Sequence, residues 1–169
     1  MRRKLNCIYY ISILIFICFP PNKTFAQILY SANAEYLFPI GDLRNNYTSG
    51  VNAGLGLKYI IQKEYNITLN ASYSYIKGKS IEDEYFVYNV RPISGIPIAA
   101  GFRYKPDNLF FIQASGGPVI VTKPENDVGV YVSGGAGIYY KMLELQIQLI
   151  QWNKPEIANF AGFQLSFIF

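Results

Sequence analysis

The side chains able to do chemistry in this chain are few, and their types exclude as much as they suggest. The sequence holds no histidine, so a serine–histidine–carboxylate triad cannot form. Its cysteines, Cys7 and Cys18, both fall within the first 26 residues. Beyond them there is no thiol for a disulfide, a thiolate metal site or a nucleophile. Gly78-Lys79-Ser80 has the ending of a phosphate-binding loop, but Tyr73 stands where the leading glycine belongs. Glu82, Asp83, Glu84, Glu125 and Asp127 show no calcium-loop spacing, so they read as solvated loop acids rather than a divalent-cation site. No cofactor or metal is expected. What remains is a set of six charges, Glu35, Lys58, Arg91, Arg103, Lys141 and Glu144, set among small uncharged polar residues.

The elements that carry those charges are strands. From Tyr65 to Tyr75, odd positions hold Tyr, Ile, Leu, Ala, Tyr and Tyr, while even positions hold only Asn, Thr and Ser. Strand side chains alternate between two faces, so this segment has one apolar face and one small polar face. The same alternation predicts strands over Ile28 to Phe38, Val51 to Ile61, Leu109 to Val121, Val128 to Tyr140, Leu143 to Gln151 and Phe160 to Phe169. A longer one is expected over Phe86 to Tyr104, interrupted by Pro92 and Pro97, which implies a bulge or an extension beyond a bilayer. Gly116-Gly117-Pro118 should kink the strand that contains it.

Connections between these eight segments alternate in length. Residues 62–64, 105–108 and 141–142 are short; residues 39–50, 77–85, 122–127 and 153–159 are longer. A meander then collects short turns at one end and long loops at the other, as transmembrane barrels do. The first 26 residues read as a cleavable signal peptide. Arg2-Arg3-Lys4 is the basic start, Ile8 to Phe19 is an apolar run shorter than the roughly 20 residues a membrane helix needs, and Thr24-Phe25-Ala26 offers small residues for cleavage. The expected division is therefore 1–26 signal peptide and 27–169 barrel domain. Four of the 15 basic residues lie in the leader, leaving 11 against 11 acids, so the high pI is no argument for nucleic acid.

Alternation alone leaves the facing undecided, since a soluble lipid-binding barrel would turn its apolar face inward. The polar faces carry too few charges for a water-facing surface, and they carry nine of the 14 glycines. Small residues suit the inside of an eight-stranded barrel, which side chains only just fill. The apolar faces then meet lipid, where no sheet edge is tolerated, so the sheet must close. Tyr36, Tyr59, Tyr65, Tyr75, Tyr104 and Tyr140 lie near strand ends, as an interfacial girdle requires. The six charges become interior groups. Lys58, Arg103, Lys141 and Glu144 are placed near the short-turn end, and Glu35 and Arg91 nearer the loops. Buried charges need partners. Glu144 is expected to pair with at least one of Lys58, Arg103 and Lys141, and Glu35 to find a cation or a hydroxyl network.

The leader, the eight alternating segments and the ending Phe163-x-Leu165-x-Phe167-x-Phe169 resemble the small Gram-negative outer-membrane β-barrels (OmpA/OmpX-like). Phe38-Pro39-Ile40-Gly41 through Tyr59, and Ile96-Pro97 to Tyr104, resemble the porin-like "outer membrane protein beta-barrel domain" group. The resemblance covers 27–169. It implies an all-β, closed, eight-stranded antiparallel up-and-down transmembrane barrel in the cell outer membrane. It also implies contact with outer-membrane lipid and reading of Phe163, Leu165, Phe167 and Phe169 by the barrel-assembly machinery. Enzymes of this fold rely on histidine, so the resemblance with no His implies a non-enzyme. No peptidoglycan-binding domain follows Phe169, so a wall-anchoring role is not implied. The expected function is a structural, adhesion or envelope-integrity role, with four loops presented to an unknown extracellular ligand. The alternatives are a narrow porin-like channel and, behind it, a lipid-modifying barrel enzyme.

Overall fold

A computed structural model describes residues 27–82, 87–124, 126–153 and 157–169. The expected leader lies outside the described residues, as do Asp83, Glu84 and Glu125. Among the described residues there are ten strands: β1 (Gln27–Ile40), β2 (Tyr47–Gln62), β3 (Tyr65–Gly78), β4 (Ser80–Glu82), β5 (Val87–Asn89), β6 (Ile93–Tyr104), β7 (Phe110–Lys123), β8 (Asp127–Tyr140), β9 (Leu143–Trp152) and β10 (Ala158–Ile168). One helical turn, α1 (Leu43–Asn46), joins β1 to β2.

Eight of the strands close into a barrel in the order β1-β10-β9-β8-β7-β6-β3-β2. Each pairs antiparallel with the next strand of the barrel, and β1 meets β10 at the seam. The final residue reinforces that seam. Tyr30 and Phe169 exchange both backbone hydrogen bonds, at 3.1 and 3.0 Å.

The facing follows the alternation. On β3, Ile67, Leu69, Tyr73 and Tyr75 are exposed on the outer wall, while Asn66, Thr68 and Ser74 are buried. Leu55, Ile112, Val132, Ile147 and Phe163 continue the apolar wall around the barrel. A surface of this kind in water would be a large unscreened apolar patch; against lipid it costs nothing. Aromatic rings cluster at the short-turn end, where Tyr65 stacks on Tyr104 at 5.2 Å and on Phe102 at 5.7 Å.

Two expectations need correction. The segment from Phe86 to Tyr104 is not one strand. Val87–Asn89 pairs with Ser80–Glu82 in a separate two-stranded sheet, and the barrel strand begins at Ile93, after Pro92. Proline disfavours helix in the residue before it and cannot donate to a ladder, so the chain breaks pairing there. Second, the barrel strands run further toward the loops than the alternation indicated, because β2 begins at Tyr47 and β3 ends at Gly78. The loop-end connection between β7 and β8 shrinks to 124–126, no longer than the turn between β6 and β7. Gly116-Gly117-Pro118, expected to kink β7, lies within an unbroken strand. Its ladder to β6 lapses between Pro97↔Val119 and Ala100↔Gly116, where a proline lacks an N–H.

Candidate functional site: the filled lumen

Strand β9 spans the lumen from one end to the other. Its inward residues are Glu144, Gln146, Gln148, Ile150 and Trp152, all buried. The series runs from charge, through carboxamide, to apolar, and each part meets a matching layer from the other strands.

The charged layer lies at the short-turn end. Register places Lys58 opposite Thr68, Asn66 opposite Arg103, Arg103 opposite Gln113, and Tyr139 opposite Glu144. Lys58 on β2 and Glu144 on β9 are separated around the wall by β1 and β10, so their ion pair crosses the lumen. Arg103 Nη1 reaches Glu144 Oε1 at 2.9 Å and donates to the Tyr139 hydroxyl at 2.8 Å. Arg103 Nε and Nη2 both donate to Gln113 Oε1, at 2.8 and 2.6 Å. Its guanidinium carbon lies 3.9 Å from the centre of the Phe111 ring, a cation–π contact. A Cβ at Gly137 would run into the Phe111 ring, which is why that inward position holds glycine. Just outside the strands, Lys105 Nζ stands 4.3 Å from the Tyr139 ring centre. Burial at the barrel mouth pushes its ammonium below the usual lysine range, against the pull of Glu144.

The carboxamide layer surrounds Glu35. Gln148 Nε2 donates to Glu35 Oε1 at 2.6 Å, and Asn52 Nδ2 donates to Oε2 at 2.9 Å. The expected partner was a cation or hydroxyls; amides stand there instead, because Asn52 and Gln164 are the residues paired with Glu35 across the strands. A Cβ at Gly162 would collide with the Glu35 carboxylate, so glycine makes the space for it. Beside this layer is a cavity of about 30 Å³, to which each of the eight barrel strands contributes a side chain.

The apolar layer closes the loop end. Leu37, Ile76, Val119, Val121, Ile150, Trp152 and Phe160 pack together inside the barrel, with Leu43 of α1 and Tyr47 against them. Trp152 and Phe160 meet edge to face at 5.7 Å between ring centres. This layer was missed by the alternation rule. Its signal in the sequence is the breakdown of alternation near strand ends, as in Tyr36-Leu37-Phe38, Leu149-Ile150 and Val119-Ile120-Val121, where both faces are apolar.

Of the six charges, Glu35, Lys58, Arg103 and Glu144 enter the lumen, and three of them meet. Lys141 and Arg91 do not. Lys141 occupies the two-residue turn between β8 and β9 with φ of +56°, exposed beside the Tyr140 ring. A tight turn points its side chain away from the wall. Arg91 is exposed in the link from β5 to β6, since the strand expected to carry it inward begins only at Ile93. Phe163, Leu165, Phe167 and Phe169 are exposed on the outer wall. Lys79 of the phosphate-loop-like tripeptide donates to the Arg44 carbonyl at 2.7 Å, tying the loop to α1. Among the described residues there is no cluster of acids able to hold a metal ion.

Solved structures share this architecture. A de novo designed transmembrane β-barrel aligns over 83% of this chain and 95% of its own, at 13% identity and a TM-score of 0.56. The fold is that of a small transmembrane barrel. Ail, the attachment invasion locus protein of Yersinia pestis, is similar over 85% of this chain and 99% of its own, at 8% identity and a TM-score of 0.57. The N-terminal β-barrel domain of Pseudomonas aeruginosa OprF is similar over 85% and 99%, at 12% identity and a TM-score of 0.52. No family model and no curated protein sequence matches this chain.

Proposed function

We propose that this chain is a non-enzymatic integral protein of the bacterial outer membrane, whose barrel is a rigid mount for surface-presented loops. One observation carries the reading. The barrel's wall is apolar on the outside, and its lumen is packed by three successive layers, with a cavity of about 30 Å³ beside the middle one. A lumen so filled favours a mount over a conduit for solutes. Secretion across the inner membrane by residues 1–26 and insertion by the barrel-assembly machinery belong to the same proposal. The alternating apolar residues Phe163, Leu165, Phe167 and Phe169 lie on the strand that closes the seam, which suits a signal read at closure.

The loop end has the features of a presenting surface. The β4–β5 hairpin stands apart from the barrel sheet and exposes Val87 and Tyr88. Its base is held by the Lys79 amide on the Asn46 carbonyl, at 2.8 Å, and the Val90 amide on the Lys79 carbonyl, at 2.9 Å. Ail, one of the proteins of this fold, is an attachment protein by name, and an adhesion role for this hairpin follows that lead. The test uses intact cells. Cysteines introduced at Tyr88 and Arg91 should react with an impermeant maleimide, and cysteines at Lys63 and Lys141 should not. Shortening residues 80–89 should reduce adherence of the cells while leaving the barrel folded. Labelling at Lys141 but not Tyr88 would reverse the orientation, and unchanged adherence would sink the adhesion role. Discrete single-channel steps in planar bilayers would restore the porin-like alternative, and release of acyl chains from lipid would restore the enzyme.

A further inference from the structure

Glu35 and Glu144 are both buried carboxylates inside one barrel, yet only Glu144 has cations against it. Glu144 is held by Lys58 and Arg103. Glu35 is 5% exposed, and its hydrogen-bond donors are two neutral amides. A buried charge without a counter-charge is expensive. The second irregularity is beside it. Asn52 donates through Nδ2 to Glu35, and its Oδ1 is buried with no hydrogen-bond partner among the described residues. Both residues line the cavity of about 30 Å³, together with Asn33, Asn70, Ser72 and Ser115.

We propose that this mid-barrel cavity binds one dehydrated monovalent cation of sodium size, held by the Glu35 carboxylate and the Asn52 side-chain oxygen. The volume admits a water-sized occupant. The lining supplies hard oxygen donors, amide and hydroxyl, that take the place of water around an alkali cation. Charge selects the valence. Ionised Glu35 offsets the excess cation of the neighbouring cluster, in which Lys58 and Arg103 face Glu144, so a monovalent ion leaves one net positive charge in the lumen and a divalent ion would leave two. A divalent ion would add an unbalanced charge to a low-dielectric interior. A proton on Glu35, donated to the oxygen of a flipped Asn52 carboxamide, is the competing arrangement, and it gives no dependence on sodium. Because every barrel strand helps to line the cavity, the site is complete only in the closed barrel, and binding favours the folded state.

The test is urea unfolding of the purified full chain in detergent micelles, in sodium chloride against choline chloride at equal ionic strength and neutral pH. Sodium should raise the folded-to-unfolded ratio about tenfold for each tenfold increase in concentration above the dissociation constant. Choline should do nothing. Glu35→Gln, which keeps the shape and removes the charge, should abolish the sodium dependence. Equal stabilisation by choline, the same sodium gain in Glu35→Gln, or no sodium effect on the unsubstituted chain would overturn the proposal. If Glu35→Gln fails to fold, crystals of the unsubstituted chain grown in sodium chloride decide. An ion coordinated by Glu35 and Asn52 oxygens, at contacts too short for water, upholds the site, and a cavity holding only water overturns it.

Discussion

Lys58, Arg103 and Glu144 fill the short-turn end of the lumen, while Trp152, Phe160 and Leu37 fill the loop end. Both groups occupy the same inner face of the same strands, and both exclude water, but they obtain specificity differently. The apolar layer is held by dispersion and shape, which tolerate small rearrangements. The charged layer is held by directional bonds, so it is strong only while every member is present. A barrel built this way has a soft seal beneath its loops and a brittle brace at its other end. The loop layer can accept variation in Leu43, Tyr47 and the connections above it. The brace pins β2, β6 and β9 to one another across the lumen.

The contrast can be broken at either end, and urea unfolding in lipid vesicles reads each change. The largest effects are expected where a whole buried group is lost. Phe160→Ala or Trp152→Ala should cost about 3–5 kcal/mol, because each leaves a cavity in the apolar layer. Glu144→Gln should cost a comparable amount, about 3–5 kcal/mol, by stranding two cations in a buried site. If Glu144→Gln were harmless, the brace would be ornamental. Next comes the outer wall. Leu69→Arg, exposed to the bilayer midway along β3, should cost about 2–4 kcal/mol, and Asn70→Leu on the same strand should still fold. A harmless Leu69→Arg would mean that this face of β3 does not meet lipid.

A smaller change sharpens the account of the brace. Lys58→Met keeps the Arg103–Glu144 pair and leaves one cation facing one anion. Its cost should be smaller than that of Glu144→Gln, since it removes the excess cation and leaves Glu144 paired with Arg103. A double-mutant cycle with Glu144→Gln should then show strong coupling between the two positions. The smallest effect concerns the turn below the brace. Asp107 accepts hydrogen bonds from the Leu109 and Phe110 amides, both at 2.7 Å, and these hold its carboxyl below the usual range. Its folded-state affinity for protons is lower than in the unfolded chain. The contribution is therefore present above the ordinary carboxylate range and is lost as pH falls through the depressed value. Amide-exchange protection at Leu109 and Phe110, taken relative to the intrinsic rate at each pH, should fall on acidification, and Asp107→Asn should flatten that dependence.

Much of this was legible in the residues. The apolar, polar alternation in Tyr65 to Tyr75 marks strand, face and, with the scarcity of charge, the inward turn of Asn66, Thr68 and Ser74. Glu144 and its partners Lys58 and Arg103 were legible as inward charges because each lies at an even step within an alternating segment. Lys141 and Arg91 were misplaced because alternation was carried past the end of the strand, into a turn and a link where side-chain direction no longer alternates. The β4–β5 hairpin was hidden because three-residue strands are too short to show a period.

The sequence by itself determined the class of the molecule: which segments are strands, which face is apolar, and that the sheet must close. Those follow from local periodicity and from the rule that backbone groups cannot go unpaired in lipid. Only the tertiary structure decided how the lumen is filled. Which of Lys58, Arg103 and Lys141 meets Glu144, that amides rather than cations surround Glu35, and that Trp152 and Phe160 plug the loop end all depend on register and on contacts across the lumen. Such contacts join strands that are not neighbours in the sheet, and no local pattern in the chain encodes the distance across a closed barrel.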